Sequence, residues 1–455
     1  MGLNSSLRRK NYMQEHSPSK DPKRGRLFDL TPRDRKALLV GTYLGAMEKL
    51  ETDEQLGELE NLAVTYGLET VHKVMAPLRA IESSTFIGKG KVEEIRVLCI
   101  EHDVDIVIFD DEISPQQQRN LEKGLERPVI DRTELILGVF AQRAHTREAR
   151  IQVELAASRY QFPRLTRLWT HLSRQRTGGS GKSGGGFLKG EGEKQIEIDR
   201  RILKHEITKL QGELEEVKKI RETQRMARKR SGIPTFAIIG YTNSGKSTLM
   251  NALTEADVLV EDKLFATLDT TTRKYTLPNG QAILLIDTVG FIRKLPHLLV
   301  AAFKSTLEEA VDADILLHLI DASNPQAHQQ AEATLAVLKE LKAAGRPMIT
   351  ILNKIDRCEN RLMIDRMRVT YPKTVEISAA QKIGFDHLLE MMIREVALLR
   401  KVVYLRIPQS EYALVSEIME EGKVLSIDYV ENDILLEVEI PGELERKVAP
   451  FAVAK

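Results

Sequence analysis

The stretch "GYTNSGKST", Gly240 to Thr248, limits the possible folds more than any other part of the chain. Gly240 and Gly245 stand five apart and are followed by Lys246 and Ser247, the pattern G-x-x-x-x-G-K-[ST]. An apolar run, "TFAIIG", precedes it, and a helical pattern, "STLMNALTEA", follows. Strand, glycine loop and helix in that order let backbone N–H groups wrap a phosphate, with the helix N-terminus adding a favourable dipole. From Thr235 to about Leu399 the strand–loop–helix pattern repeats. "AILLIDT", "DILLHLID", "MITILNKID" and "TVEISA" are continuous apolar runs, as in strands buried on both faces. A second Gly-Lys-Ser, Gly181 to Ser183, has Arg176 five places earlier and no strand leading in. It reads as linker.

The remaining chain is divided by composition. With 455 residues it needs two to four domains, and 42% hydrophobic with 29% charged content describes a globular protein. A net charge of +1 gives no global pull toward nucleic acid, so any basic surface is local. Cys99 and Cys358 lie far apart, which excludes a disulfide scaffold and fits a reducing cytosol. No apolar run approaches the ~18 residues of a spanning helix. Residues 1–30 are basic without an apolar segment behind them, so they read as a disordered tail and not a secretion signal. Residues 31–143 alternate strand and helix patterns ("ALLVGTYL", "DEQLGELENLAVTYG", "VHKVMAPLRA", "VDIVIFD"), which predicts a small α/β, nucleotide-binding-like domain.

Residues 144–233 predict two helices around a Gly-Ser hinge at 177–193. Ile196, Leu203, Ile207, Leu210, Leu214 and Val217 form a heptad seam, and an antiparallel pair is the simplest packing. Pro234 closes that span. Residues 234–399 carry the phosphate loop, and 400–455 read as strand, helix and two strands, a small C-terminal α/β unit.

Four clusters should meet at the nucleotide. Gly240, Tyr241, Thr242, Asn243, Ser244, Gly245, Lys246, Ser247 and Thr248 surround the phosphates, with Lys246 reaching the β- and γ-phosphates and Ser247 ligating Mg²⁺. Asp287, Thr288, Val289 and Gly290 follow the run "AILLID"; Asp287 should hold Mg²⁺ through water, and Gly290 should offer its N–H to the γ-phosphate. "NKID", Asn353, Lys354, Ile355 and Asp356, ends a strand about a hundred residues after the phosphate loop. The Asp356 carboxylate accepts from both N1–H and the 2-amino group of guanine, a donor pair adenine lacks, so GTP is the expected substrate. Asn353 would brace the base and the phosphate loop. Ser378, Ala379 and Ala380 follow the next strand and should supply an N–H to the guanine carbonyl. A first switch must add a Thr to the metal; Thr267, Thr270, Thr271 and Thr272 are all in range.

With "GYTNSGKSTLMN", "LFATLDTTTR", "DTVGFI" and "NKID", and upstream "FIGKGKVEEI", "VELAASRYQFPRL" and "GEGEKQIEIDRR", the chain resembles the HflX family of ribosome-associated GTPases from about residue 35 onward. Two departures stand out: the family usually has Pro where Thr270 stands and Pro-Gly-Glu-Thr where Glu191 to Lys194 stand. The resemblance places the metal-binding threonine at Thr267 within the binding segment Phe265, Ala266, Thr267, Leu268 and Asp269, so Lys246, Thr267 and Gly290 would carry the catalysis. It implies binding to the large ribosomal subunit and its RNA in the GTP state, separation or rescue of stalled ribosomes, a cytoplasmic monomer, and at most peripheral membrane contact.

Eight arginines between Arg143 and Arg176 (143, 147, 150, 159, 164, 167, 174, 176) face only Glu148 and Glu154, and Lys218 to Arg230 add seven basic residues. Such clusters neutralise phosphate, and Tyr160 or Trp169 is placed to stack on an unpaired base. Some family members are described as binding ATP through the N-terminal domain, yet no phosphate loop occurs there.

After Gly290, Gln would orient the attacking water, but Phe291 has no hydrogen-bonding group. Intrinsic turnover should then be on the order of 10⁻⁴–10⁻² s⁻¹ or below. In related GTPases an Asn at the position of Asn243 ligates K⁺; here it either does so or only shapes the loop. Two other classes compete with a ribosome-stimulated GTPase: a GTP-dependent RNA-binding switch with negligible catalysis, and a GTPase tied to RNA modification or membrane proteolysis.

Overall fold

The computed structural model describes residues 35–45, 48–165, 188–230, 232–254, 264–265, 268, 270–294, 296, 311–343, 345–358, 361–441 and 444–453. The basic tail, Trp169, the Gly-rich run up to residue 187, and Ala266, Thr267 and Asp269 lie outside the described residues.

Three sheets organise the chain. The first is parallel, in the order β2-β1-β3-β4, from β1 (Arg35–Tyr43), β2 (Leu68–Pro77), β3 (Ile106–Phe109) and β4 (Val129–Asp131). The period-two geometry of a strand sends its residues alternately to two helix layers. Ala37 and Leu39 of β1 join one apolar cluster with α1 (Glu48–Tyr66) and α4 (Arg132–Arg143), and Leu38 and Val40 join another with α2 (Lys89–Glu101) and α3 (Pro115–Leu125). Local chemistry sets the helix starts. Ser114 and Gln117 close a capping box around Pro115, Asp131 caps α4 through Glu134 N, and Thr146 caps α5 (Arg147–Gln161) through Ala149 N.

The second sheet has the order β10-β9-β8-β5-β7-β6. Its strands are β5 (Thr235–Gly240), β6 (Thr271–Thr276), β7 (Ala282–Asp287), β8 (Ile315–Asp321), β9 (Met348–Asn353) and β10 (Thr374–Glu376). All run parallel except β6, which pairs antiparallel with β7. Among its helices are α7 (Lys246–Thr254), α8 (Ala327–Glu340), α9 (Arg361–Thr370) and α10 (Phe385–Leu399). Phe236 and Ile238 face one core, while Ala237 and Ile239 enter the cluster that also contains Leu39, Tyr66 and Phe140 of the first sheet's layer. One apolar core thus runs through both sheets' territories.

Between them, α5 pairs with α6 (Leu188–Arg230). Ile151 and Leu155 bury against Leu210 and Leu214, and Glu148 reaches Arg221 at 2.8 Å, so the helices are antiparallel. Leu203, Leu210 and Leu214 of the expected seam are buried and Ile207 and Val217 half-buried, while the Ile196 side chain lies outside the described set. The third sheet is antiparallel, β11-β13-β12, from β11 (Arg400–Pro408), β12 (Lys423–Val430) and β13 (Asp433–Pro441), and α11 (Tyr412–Glu421) packs on it through Val415 and Ile418.

Candidate functional site

The site grows from the carboxyl end of β5. Gly240 has φ +154°, and a Cβ there would stand 2.3 Å from the Leu319 carbonyl oxygen, so only glycine lets the chain turn against β8. Gly245, at φ +97°, is equally constrained, with Asn353 Nδ2 2.3 Å from an added Cβ. Between them Asn243 takes φ +60°, a left-handed conformation that Asn tolerates.

Lys246 opens α7, is buried, and donates to the carbonyls of Tyr241 (2.8 Å) and Gly240 (3.2 Å). Burial pushes its ammonium down to about 8, with Asp287 opposing and Lys354 adding to the shift. Ser247 Oγ donates to Asp287 Oδ2 at 2.8 Å, where β7 ends beside β5. A hydroxyl and a buried carboxylate thus converge beside a loop built for phosphates, a donor set that suits a hard cation such as Mg²⁺ with phosphate oxygens and water completing its shell. Among the described residues no group of three or more His, Cys, Asp or Glu stands ready to hold a metal without such help. Thr248 follows in α7, and the buried hydroxyls of Thr242 and Ser244 have no hydrogen-bond partner among the described residues.

The second switch segment lies directly on the loop. Thr288 Oγ1 donates to the Ile238 carbonyl at 2.7 Å, and Val289 is buried. A Cβ on Gly290 would come within 2.9 Å of both Lys246 Nζ and Thr242 Cα. Phe291 N donates to the Gly240 carbonyl (3.0 Å) and Thr242 N to the Phe291 carbonyl (2.7 Å), a short parallel bridge between Tyr241 and Phe291. The Phe291 ring is buried in the core shared by the two sheets.

At the carboxyl end of β9, Asn353 Nδ2 donates to the Ser244 carbonyl (2.8 Å) and its Oδ1 accepts from Ala379 N (2.9 Å). The loop Ser378 to Ala380 therefore fixes Asn353, and buried Ser378 in turn accepts from Gln381 N (3.2 Å). Lys354 has φ +62° and pairs with Asp321 at 2.8 Å; Ile355 and exposed Asp356 follow in a 3₁₀ turn. Of the first switch, Phe265 and Leu268 are buried and Phe265 packs edge-on against Phe140, with ring centres 4.5 Å apart. Thr271 and Thr272 belong to β6, paired with Asp287 and Ile286, and Thr270 precedes them.

Two expectations for RNA contact are corrected. Tyr160 is buried and its hydroxyl donates to Asp131 Oδ1 at 2.9 Å, so the ring is closed to a base. Arg164 is buried too, bound to the Ile113 carbonyl (2.7 Å) and Asp131 (3.2 Å) over the Tyr160 ring. Both stabilise the first sheet's layer. Arg147 and Arg150 remain exposed.

Sequence reasoning passed over the residues that join the first sheet to the site. Tyr241 Oη donates to Glu58 Oε2 (2.7 Å) and accepts from Arg293 N (2.7 Å). Arg132 binds Asp110 (2.7 Å), Glu58 and the Arg293 carbonyl (3.2 Å). Lys294 Nζ sits between Asp110 (2.7 Å) and Asp111 (2.9 Å). The only signal was the acid pair after "VDIVIF", which has no mark of its partner. A cleft of about 300 Å³ lies beside this joint, lined by Glu54, Glu58 and Asn61 on one wall and Tyr241, Thr242 and Asn243 on the other.

Three family models match in sequence order: "GTP-binding GTPase N-terminal" over residues 53–141, "GTP-binding GTPase Middle Region" over 143–228 and "50S ribosome-binding GTPase" over 235–354. The chain is 48% identical to GTPase HflX of Chlamydia pneumoniae over 431 residues, 94% of this chain and 91% of that one. It is 40% identical to GTPase HflX of Escherichia coli K12 over 91% of this chain and 96% of that one. A solved structure, the SsGBP–GDP complex, aligns with 79% of this chain and 98% of its own at 24% identity and a TM-score of 0.46, too distant to add to the fold reading. With such identity spread over almost its whole length, the chain belongs to the HflX family of GTPases.

Proposed function

We propose that this GTPase binds the large ribosomal subunit in its GTP state, splits or rescues stalled ribosomes, and hydrolyses GTP fast only when the ribosome supplies what its second switch lacks. The burial of Phe291 carries this reading. The residue after Gly290 points into the core and has no group to hold water, while Lys246, Ser247 and Asp287, the side chains that phosphoryl transfer would use, lie together beside it. The match of residues 235–354 to a 50S ribosome-binding family supports the partner.

In this reading Lys246 leaves the loop carbonyls for the β- and γ-phosphates, and Gly290 N–H meets the γ-phosphate. Asn353 braces base and loop, Lys354 stacks on guanine, and Asp356 reads its N1–H and 2-amino group. Ser247, Thr267 and, through water, Asp287 would hold Mg²⁺, which supplies charge neutralisation between the β- and γ-phosphates when bound. Asn243 would ligate K⁺, a second positive charge beside the phosphates. The exposed arginines of α5 and the basic end of α6 would meet ribosomal RNA. Divisions at residues 30, 143, 233 and 399 suit the three sheets and the helical pair. A cytoplasmic monomer fits, and among the described residues no helix is long and apolar enough to cross a membrane.

Purified large subunits should raise GTP turnover tenfold or more, and the protein should sediment with them under a non-hydrolysable GTP analogue but not GDP. Turnover indifferent to ribosomes, with sedimentation intact, would leave a non-catalytic RNA-binding switch.

A further inference from the structure

The stem of Lys354 is the proposed shelf for guanine, a neutral base, but that stem ends in an ammonium. Its charge is felt at Lys246, where it adds to the downward push of burial. In the proposed GTP state phosphates answer the charge of Lys246. Lys354 faces the base instead, and an ammonium largely withdrawn from water needs an anion of its own. Among the described residues that anion is Asp321, whose Oδ2 lies 2.8 Å from Lys354 Nζ, with the two side chains only 13% and 19% exposed.

Asp321 is itself held. It is the last residue of β8, level with Asn353 in the parallel ladder, so strand pairing brings it to the turn that carries Lys354. Its Oδ1 accepts from both the N–H (3.0 Å) and the hydroxyl (2.6 Å) of Ser323, which leaves Oδ2 for the ammonium. Beside it Ala322 N donates to the Asn353 carbonyl at 2.9 Å, and Cys358 Sγ donates to the Ala322 carbonyl at 3.3 Å. Loop 321–323 and turn 353–358 are thus fastened to each other. Lys354 also takes φ +62°, a left-handed conformation uncommon outside glycine, so its direction is fixed at the backbone as well as at the tip. A free lysine would lose its rotamer freedom when the base arrives; one already pinned does not.

We infer that Asp321 is a positioning residue for nucleotide binding, which holds the Lys354 stem as a preformed, charge-compensated shelf for the base. This role rests on the proposed stacking of Lys354 on guanine. It concerns the base half of the nucleotide alone. Removing the Asp321 charge should loosen the shelf, while the site becomes more positive and no less attractive to phosphates. A residue that merely shaped the loop would weaken both halves together.

The test measures displacement of a fluorescent GDP from the full chain by unlabelled GDP and by tripolyphosphate, which has no base. Asp321→Asn keeps the size of the side chain and an acceptor for Ser323 but removes the charge. It should lower GDP affinity roughly fivefold or more. Tripolyphosphate should bind within about twofold of wild type or tighter. Parallel loss of both competitors, or no loss of GDP affinity, would overturn the inference. Lys354→Ala removes the shelf and should lower GDP affinity by itself; adding Asp321→Asn should then cost nothing further. Losses that multiply in the double variant would also overturn the inference, because Asp321 would be acting elsewhere than on Lys354. Lys354→Ala without effect would overturn the stacking, and the inference with it. A loss there with none in Asp321→Asn would overturn the inference alone.

Discussion

Lys246 and His318 are both buried bases, and burial gives each a pH signature of its own. With its ammonium pushed down to about 8, Lys246 is charged in the free protein at pH 7 and largely neutral at pH 9. Taking up a triphosphate at pH 9 must then draw in a proton. GTP affinity should be insensitive to this group below about pH 8 and fall by up to tenfold per pH unit above it. Calorimetric titration in buffers of different ionisation heat should show uptake approaching one proton at pH 9 and almost none at pH 7; no uptake at pH 9 would contradict the assignment. His318 lies in the middle of β8, with both ring nitrogens lacking a partner among the described residues and burial holding its pKa at about 4. Because the folded value is below the unfolded one, its contribution is intact above about pH 6.5 and is lost as pH falls toward 4. The loss should reach about 2 kcal/mol by pH 5. Asp131 shifts the opposite way, up to about 6 through burial, so the comparison must be made against a variant in which only His318 is changed. His318→Leu should therefore gain about 2 kcal/mol on wild type between pH 7.5 and pH 5 in denaturant melts. At this scale, the phosphate loop and "NKID" were legible because their spacing is itself the chemistry. Glu58, Arg132 and Lys294 were not, since a charge in a sequence does not say which distant charge it meets.

Among the elements, the helical pair shows how far periodicity reaches. The heptad seam located the face of α6 that buries Leu203, Leu210 and Leu214, and the antiparallel packing followed from the hinge. Periodicity was silent on α4, whose "ELILGVF" is buried all round and so has no polar face to reveal its period. It was equally silent on β6, an edge strand of mostly polar residues, "TTRKYT", that looks like loop. Leu214 belongs to an apolar cluster confined to α5 and α6, apart from the nucleotide site. Leu214→Ala should weaken that contact by about 2–3 kcal/mol. Amide exchange in α5 should accelerate while nucleotide affinity stays within twofold; a large loss of affinity would mean that the pair supports the site directly.

For the molecule as a whole, most strands of the first two sheets could be read from sequence, β4 and β6 excepted, but the mutual attachment of the sheets could not. Continuous apolar runs announce strands buried on both faces without saying that Phe140 of one layer will pack on Phe265 of the other. That shared core has a consequence for how the protein is made. The N-terminal layer leaves the synthesising ribosome with Phe140 already exposed, and its cover, Phe265, emerges only after the whole of α5 and α6 has been translated. Until then a sticky face stands open, a period in which chaperone capture or misassembly competes with native docking.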